Sequence, residues 1–375
     1  MSSPPSSHLG VLVCGAGVFG RNHLRVYRAL EDEGLPVRLA AIVEPDLVRA
    51  GAAATDWGAP VFSSVEECLA ARSRKEVDFA AASVCTPTSH HFEVSQALLA
   101  AGIDLLIEKP IATSVDQATH LIQLAEKHGR ILQTGHLERF NPAVIATEPL
   151  LNHPMFFEAH RLSIFSPRAL DVDVVLDLMV HDLDIVLSLV QSPVRSLHAV
   201  GLPILSPRVD IANVRVEFES GCVANFTASR VSTEKVRKLR FFQPHQYVSI
   251  DYARQDLLVI DVSRAAQMGS ASEPLPLSAR DLAGVAAAGG PIAGLPGLHI
   301  EKPTVKPGEP LRLEIEAFLE SVRTRSAPRV SGEDGRAALA LALDINAAIA
   351  AHAERAGLHR FMGPPQRGGQ PLANR

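Results

Sequence analysis

Three groups of residues have types and spacings that suit chemistry. Glu108-Lys109-Pro110 directly follows the apolar run 105–107, so a carboxylate and an ammonium stand at a strand end with a proline stiffening their loop. Along 172–190, Asp173, Asp177, His181, Asp184 and Ser188 share one narrow stripe at helical spacing. The stripe reads either as the wet face of an amphipathic helix or as a carboxylate–imidazole pair, Asp177 and His181, one turn apart. In the second reading the carboxylate orients the ring and raises its basicity, and the ring takes a proton from a substrate hydroxyl. The third group is Gly15-Ala16-Gly17-Val18-Phe19-Gly20, placed directly after an apolar run. Glycines at this spacing allow a tight turn, close approach of a diphosphate and tight helix–strand packing. A hydride acceptor together with a positioned base is what alcohol oxidation requires.

Position in the chain separates real candidates from look-alikes. Glu301-Lys302-Pro303 repeats the same tripeptide inside a Gly/Pro-rich stretch, with no strongly apolar strand before it. That copy has no chemistry assigned to it. Glu44, at the end of the second apolar run, suits the adenine-ribose hydroxyls and would repel a 2′-phosphate, which favours NAD over NADP. Arg49, five residues on, is within reach of such a phosphate.

The elements that must position these residues follow from hydropathy patterning. Strands are expected over 9–14, 37–43, 60–62, 79–84, 105–107 and 131–133, alternating with helices over 18–31, 47–53, 65–72, 92–101 and 115–128. Gly34, Gly102 and Gly129 fall just past helix ends, where a left-handed cap favours glycine. This alternation predicts an α/β domain with a doubly wound parallel sheet of the Rossmann type over 1–134. The remainder, 135–375, reads as an α+β domain with an open, mostly antiparallel sheet, two C-terminal helices and a disordered tail after residue 363. A meander is expected from 211 to 262 and an excursion without assigned function over 265–307.

Composition narrows the partners. The 375 residues carry a formal charge of −5, spread without long basic runs, which argues against nucleic acid or a membrane surface. No uncharged apolar stretch reaches the 18 or so residues of a bilayer span, and the N-terminus lacks the features of a signal peptide. Cys14, Cys68, Cys85 and Cys222 form no CxxC pair, so neither a metal site nor a disulfide framework is indicated. A soluble, cytoplasmic protein is expected.

These motifs, in this order, resemble those of the Gfo/Idh/MocA family of nicotinamide-dependent oxidoreductases over about residues 9–350. The resemblance implies that Gly15, Gly17, Val18, Phe19 and Gly20 form the nucleotide loop, with Glu44 at the ribose. Thr86, Pro87 and His91 match the family's TPNxxH loop, with Thr88 in place of the usual Asn. Glu108 and Lys109 match its EKP signature, whose lysine contacts cofactor and reacting hydroxyl. Asp177 and His181 match its DxxxH pair of orienting acid and general base. The family oxidises a ring hydroxyl of a sugar or inositol, and homo-dimers or homo-tetramers are common in it.

The segments 135–142, 171–184 and 229–235 further resemble a branch acting on the 3-hydroxyl of UDP-N-acetylglucosamine. A UDP-sugar would need polar and cationic partners, for which Arg139, Asn141, Arg161, Arg168, Arg230 and Lys235 are candidates. Alternatives are a free-sugar or inositol dehydrogenase, a glycosidase using NAD without net redox, and a non-catalytic dinucleotide-binding regulator.

Overall fold

The computed structural model describes residues 8–165, 172–261 and 299–361. The N-terminal segment 1–7, Arg168, most of the expected excursion and the tail after 363 lie outside these residues. The described chain forms two compact units, one combining 8–140 with 308–344, the other 141–307 with 345–363.

The first unit is built on β1 (Leu9–Cys14), α1 (Val18–Asp32), β2 (Val37–Val43), α2 (Leu47–Trp57), β3 (Val61–Phe62), α3 (Val65–Ser73), β4 (Ala81–Val84), α4 (Thr88–Ala100), β5 (Asp104–Glu108), α5 (Val115–His128) and β6 (Leu132–Gly135). Its six strands are all parallel in the order β3-β2-β1-β4-β5-β6. The order reverses between β1 and β4, which opens a crevice at the C-terminal ends of the strands. β1 and β5 are buried along nearly their whole length because helices cover both faces. α1 buries Gly20, His23, Leu24, Tyr27 and Leu30, a stripe at helical spacing turned toward the sheet. Gly34, Gly102 and Gly129 take positive φ just past α1, α4 and α5.

The second unit contains α6 (Pro142–Ile145), β7 (Phe156–Leu162), a π-helical stretch (Val175–Met179) that runs into α7 (Val180–Val190), and the strands β8 (Val194–Leu202), β9 (Ile211–Phe218), β10 (Val223–Ser229), β11 (Val236–Gln243), β12 (Gln246–Asp251), β13 (Asp256–Asp261) and β14 (His299–Glu301). Its sheet has the order β14-β13-β12-β11-β7-β10-β9-β8; only the β7–β10 pair is parallel. In β9, buried Ala212, Val214, Val216 and Phe218 alternate with wetter neighbours, so one face is packed and the other is solvated. The π stretch packs on β10 and α7 on β7.

Two further helices, α8 (Pro310–Thr324) and α9 (Gly332–Arg355), complete the chain. The sequence reading places α8 beyond the boundary at 134/135. Its Leu311, Ile315, Phe318 and Val322 instead belong to the same core cluster as Val11, Leu24 and Tyr27 of the first unit. α9 is long and apolar enough to cross a membrane by length and composition. Its Ala338, Leu339, Ala342, Ile345 and Ile349 are buried in the protein, as in a core helix.

Candidate active site

The three glycines of the loop after β1 each answer a different constraint. Gly15 has φ +94°, a region side chains avoid, and its N–H donates to the Val43 carbonyl at 2.7 Å. A Cβ on Gly20 would lie 1.9 Å from the Gly15 carbonyl oxygen, so α1 can press onto the turn only as glycine. Gly17 differs. Its φ is −67° and a Cβ there would meet nothing within 4 Å. Neither the backbone nor the packing of this chain demands a glycine at 17, which leaves close approach of a group from outside. Gly17 also begins α1 with no side-chain cap and no acidic residue in the first turn. Helix N-termini of this kind hold N–H groups and partial positive charge ready for phosphate oxygens. Val18, 78% exposed, and Phe19 flank the spot.

Glu44 lies just past β2, buried. Its carboxylate accepts the Ala16 N–H (2.8 Å), the Asp46 N–H (3.0 Å) and an Arg49 guanidinium N–H (3.0 Å). Burial alone would raise its pKa; these three donors outweigh it and hold the carboxyl below its usual value. Glu44 is therefore an ionised acceptor tied to the glycine loop. Beside it, Leu47 and Val48 at the start of α2 are 85% and 83% exposed, an apolar shelf suited to a flat base. These features together fit a nicotinamide dinucleotide.

The ends of β4 and β5 carry the remaining first-unit candidates. His91 is buried and aims both ring nitrogens at backbone carbonyls, Nδ1 at Pro110 (2.9 Å) and Nε2 at Thr86 (2.8 Å). Expected among the cofactor contacts, it bridges the two loops. Burial draws its pKa below the usual histidine value, against the pull of the two carbonyls. The Thr86 hydroxyl is buried with no bonding partner among the described residues, and Pro87 is exposed at the start of α4. Glu108 is buried at the end of β5. It accepts a bond from His23 Nε2 at 2.8 Å, and Gly135 leaves room for its carboxyl, since a Cβ there would lie 3.0 Å from Glu108 Cδ. Lys109 follows through a cis bond to Pro110 and is half-buried. His23, on the inner face of α1, escapes sequence reasoning because its partner is 85 residues away.

In the second unit, Asp177 lies within the π-helical stretch and His181 one residue into α7; both are half-buried. The expected uniform α-helix is corrected here. A π turn bonds i to i+5, so the phase shifts between the two ends of the stripe. Single π turns recur at functional sites. Asp173 is a cap, accepting the Val175 and Leu176 N–H groups and an Asn346 amide bond at 3.0 Å. Asp184, expected on the stripe, is buried.

Three of the expected substrate contacts have partners within the second unit. Arg161 is buried and bonds both Asp182 oxygens (2.7 and 3.0 Å), with its guanidinium over the Tyr252 ring. Arg230 is buried against Asp210 (2.7 Å), the Val172 carbonyl (2.6 Å) and Ser206. A buried guanidinium bound in this way belongs to the packing, because releasing it would strand a carboxylate in low dielectric. Asn141, also buried, caps α6 through the Ala143 N–H and donates to the Tyr252 carbonyl. Arg139, in the 3-10 turn Leu137–Phe140, is half-buried beside the Arg329 backbone. Among the described residues no cluster of histidine, cysteine and carboxylate groups could hold a metal.

Comparison with known proteins gives the same assignment as the glycine loop. The oxidoreductase family with an NAD-binding Rossmann fold, Gfo/Idh/MocA, matches residues 9–136, and its C-terminal domain matches 152–243. A UDP-N-acetylglucosamine 3-dehydrogenase of Acidithiobacillus ferrooxidans is 32% identical over 93% of this chain and 99% of its own. The chain belongs to the Gfo/Idh/MocA family. It is an NAD(P)-dependent oxidoreductase. A solved structure of the Acidithiobacillus enzyme superposes with a TM-score of 0.78 at 31% identity, covering 92% of this chain and 98% of that one. An inositol 2-dehydrogenase of Corynebacterium glutamicum is 33% identical, but over only 36% of this chain and 39% of its own.

Proposed function

We propose that this oxidoreductase uses NAD to oxidise the 3-hydroxyl of UDP-N-acetylglucosamine to a ketone. The observation that supports the reading is 32% identity to a UDP-N-acetylglucosamine 3-dehydrogenase over 93% of this chain, where inositol dehydrogenases of about 30% identity match a third to a half of it. The ionised Glu44 supports NAD, because a 2′-phosphate would meet a carboxylate already committed to the glycine loop. Gly17, the start of α1 and the Leu47–Val48 shelf would hold the dinucleotide, which supplies a hydride acceptor when bound.

The chain's own groups then have separate tasks. His181, oriented by Asp177, takes the proton of the substrate hydroxyl. Lys109 stabilises the alkoxide that develops on the same oxygen, an effect worth a few kcal/mol. Glu108 and His91 hold the Lys109 loop, Glu108 through His23 and His91 through Pro110 and Thr86. Arg139 is the cation we retain for the substrate diphosphate; Arg161 and Arg230 stabilise the second unit. The working form is a homo-dimer or homo-tetramer assembled through the wet face of the second sheet, on which Val200 and Phe242 are exposed.

The test incubates purified protein with NAD or NADP and with UDP-N-acetylglucosamine, free N-acetylglucosamine or myo-inositol. NADH absorbance is followed and the product is weighed by mass spectrometry. The expected result is a UDP-sugar product two mass units lighter, formed with NAD. Turnover of inositol alone would assign the inositol reading, and bond cleavage without NADH the glycosidase reading.

A further inference from the structure

His181 stands in a helix whose first turn is held by a buried ion pair. Arg161 is one of the buried positions of β7, and α7 packs on that strand. Its guanidinium donates from Nε to one oxygen of Asp182 at 2.7 Å and from Nη2 to the other at 3.0 Å, and it lies over the Tyr252 ring at 5.2 Å. Both side chains of the pair are 3% exposed. Asp182 is the residue after His181, so the two Cα atoms differ by about 1.5 Å of rise and about 100° of turn. Where the fork holds Asp182, it also holds His181. The buried Val180, Leu183, Ile185 and Val186 favour burial of α7 without fixing its rotation, because the hydrophobic effect is non-directional. A two-bond fork between guanidinium and carboxylate is directional. The chain before His181 has its own anchors: Arg230 donates to the Val172 carbonyl at 2.6 Å, and Asp173 is bonded to Asn346. The π-helical stretch that carries Asp177 lies between those anchors and the fork.

We propose that Arg161 and Asp182 are positioning residues for His181, their fork fixing the rotation of α7 and so the direction from which the imidazole meets the substrate hydroxyl. This role rests on His181 being the base proposed above, and one arm of the test does not depend on that. Removing one partner of a buried ion pair strands the charge of the other, whereas replacing both by apolar groups of similar volume is often neutral for stability. Stability and geometry are therefore separated by changing both residues at once.

The variants are the double change Arg161→Met with Asp182→Val, which removes the fork and both charges, and Arg161→Lys, which keeps the charge but not the two-bond geometry. With NAD and UDP-N-acetylglucosamine, R161M/D182V is expected to keep its urea midpoint and its KM values near wild type. Its kcat should fall by about tenfold or more, since a misplacement of about 1 Å can cost about a hundredfold. R161K should fall between it and wild type. In a His181→Asn background neither change should cost anything further, because groups that act as one unit are not additive; a merely structural fork would lower activity equally in both backgrounds. Should R161M/D182V fail to fold, R161K carries the same comparison. Independently of turnover, hydrogen exchange read by mass spectrometry, without NAD or substrate, should be faster in the α7 amides of R161M/D182V and unchanged in those of β9. Wild-type kcat in a folded R161M/D182V overturns the proposal, as does an equal loss with and without His181, or unchanged exchange in α7. If His181→Asn itself leaves turnover intact, the functional reading fails, while the exchange arm still decides whether the fork holds the helix.

Discussion

The chain contains Glu-Lys-Pro twice, at 108–110 and at 301–303, and the two copies differ in everything except composition. The first closes β5, a strand buried along its whole length; Glu108 is buried, bonded to His23 and fitted against Gly135. The second closes β14, a three-residue strand at the sheet edge whose residues are all exposed, and Lys302 is exposed after it. A lysine on a mobile surface samples many positions, whereas one issuing from a buried, bonded strand end is held where a reaction can use it. The tripeptide is therefore no signature by itself. The strand that delivers it makes the difference.

The strongest way to break this contrast is at Lys109. Lys109→Ala and His181→Asn should each lower turnover at least about a hundredfold, or about 2.7 kcal/mol of transition-state stabilisation. Steady-state NADH formation measures it. Near-normal rates in both would remove the two residues from the mechanism and leave the first copy no more chemical than the second.

Next in size is the carboxylate of each copy. Glu108→Ala strands a buried His23 N–H, so a loss of about 1–3 kcal/mol in folding stability is expected. Glu301→Ala, on the exposed edge, should stay within about 0.5 kcal/mol. Urea unfolding of the two variants side by side reads the difference; equal effects would mean that the buried bond contributes nothing.

A third effect depends on pH. His136 flanks the first copy, and its burial holds the folded-state pKa at about 3, below the ordinary histidine value. As pH falls from about 6.5 toward 3, the unfolded chain takes up a proton that the folded chain refuses, so stability declines, by at most about 1.4 kcal/mol per pH unit. His136→Asn should remove that component of the slope between pH 6.5 and 4, visible in unfolding midpoints measured across that range.

What could be read in advance follows the range of the interaction. The glycine loop, Glu44 and the strand-end position of Lys109 are legible because their signals are local: neighbours within a few residues, and an apolar run just before. His23 on Glu108, Asp182 on Arg161 and Asp210 on Arg230 are partnerships across 85, 21 and 20 residues. Residue type at one end says nothing of the other, so two buried structural arginines look like surface cations suited to a diphosphate. α8 is legible as an amphipathic helix, yet its pattern does not say which core its apolar face joins. β8 goes unseen because an edge strand has few buried positions to set an alternation. The π turn is invisible because its bonding shifts the phase without changing the residues.

The smallest predicted effect decides whether the contrast between the copies is real. Lys302→Ala should leave kcat, KM and stability unchanged, because among the described residues nothing around Lys302 resembles what holds the Lys109 loop. The strand before it is exposed, and among the described residues no hydrogen bond is found that fixes the carboxylate beside it in the way His23 fixes Glu108. Its exposed ammonium is solvated and screened, and losing such a charge is worth a few tenths of a kcal/mol at most. The measurement is the same NADH assay used for Lys109→Ala, run on both variants at equal enzyme concentration. A loss at Lys302 comparable to that at Lys109 would show that an exposed edge strand can deliver a working lysine, and burial of the delivering strand would no longer separate chemistry from coincidence.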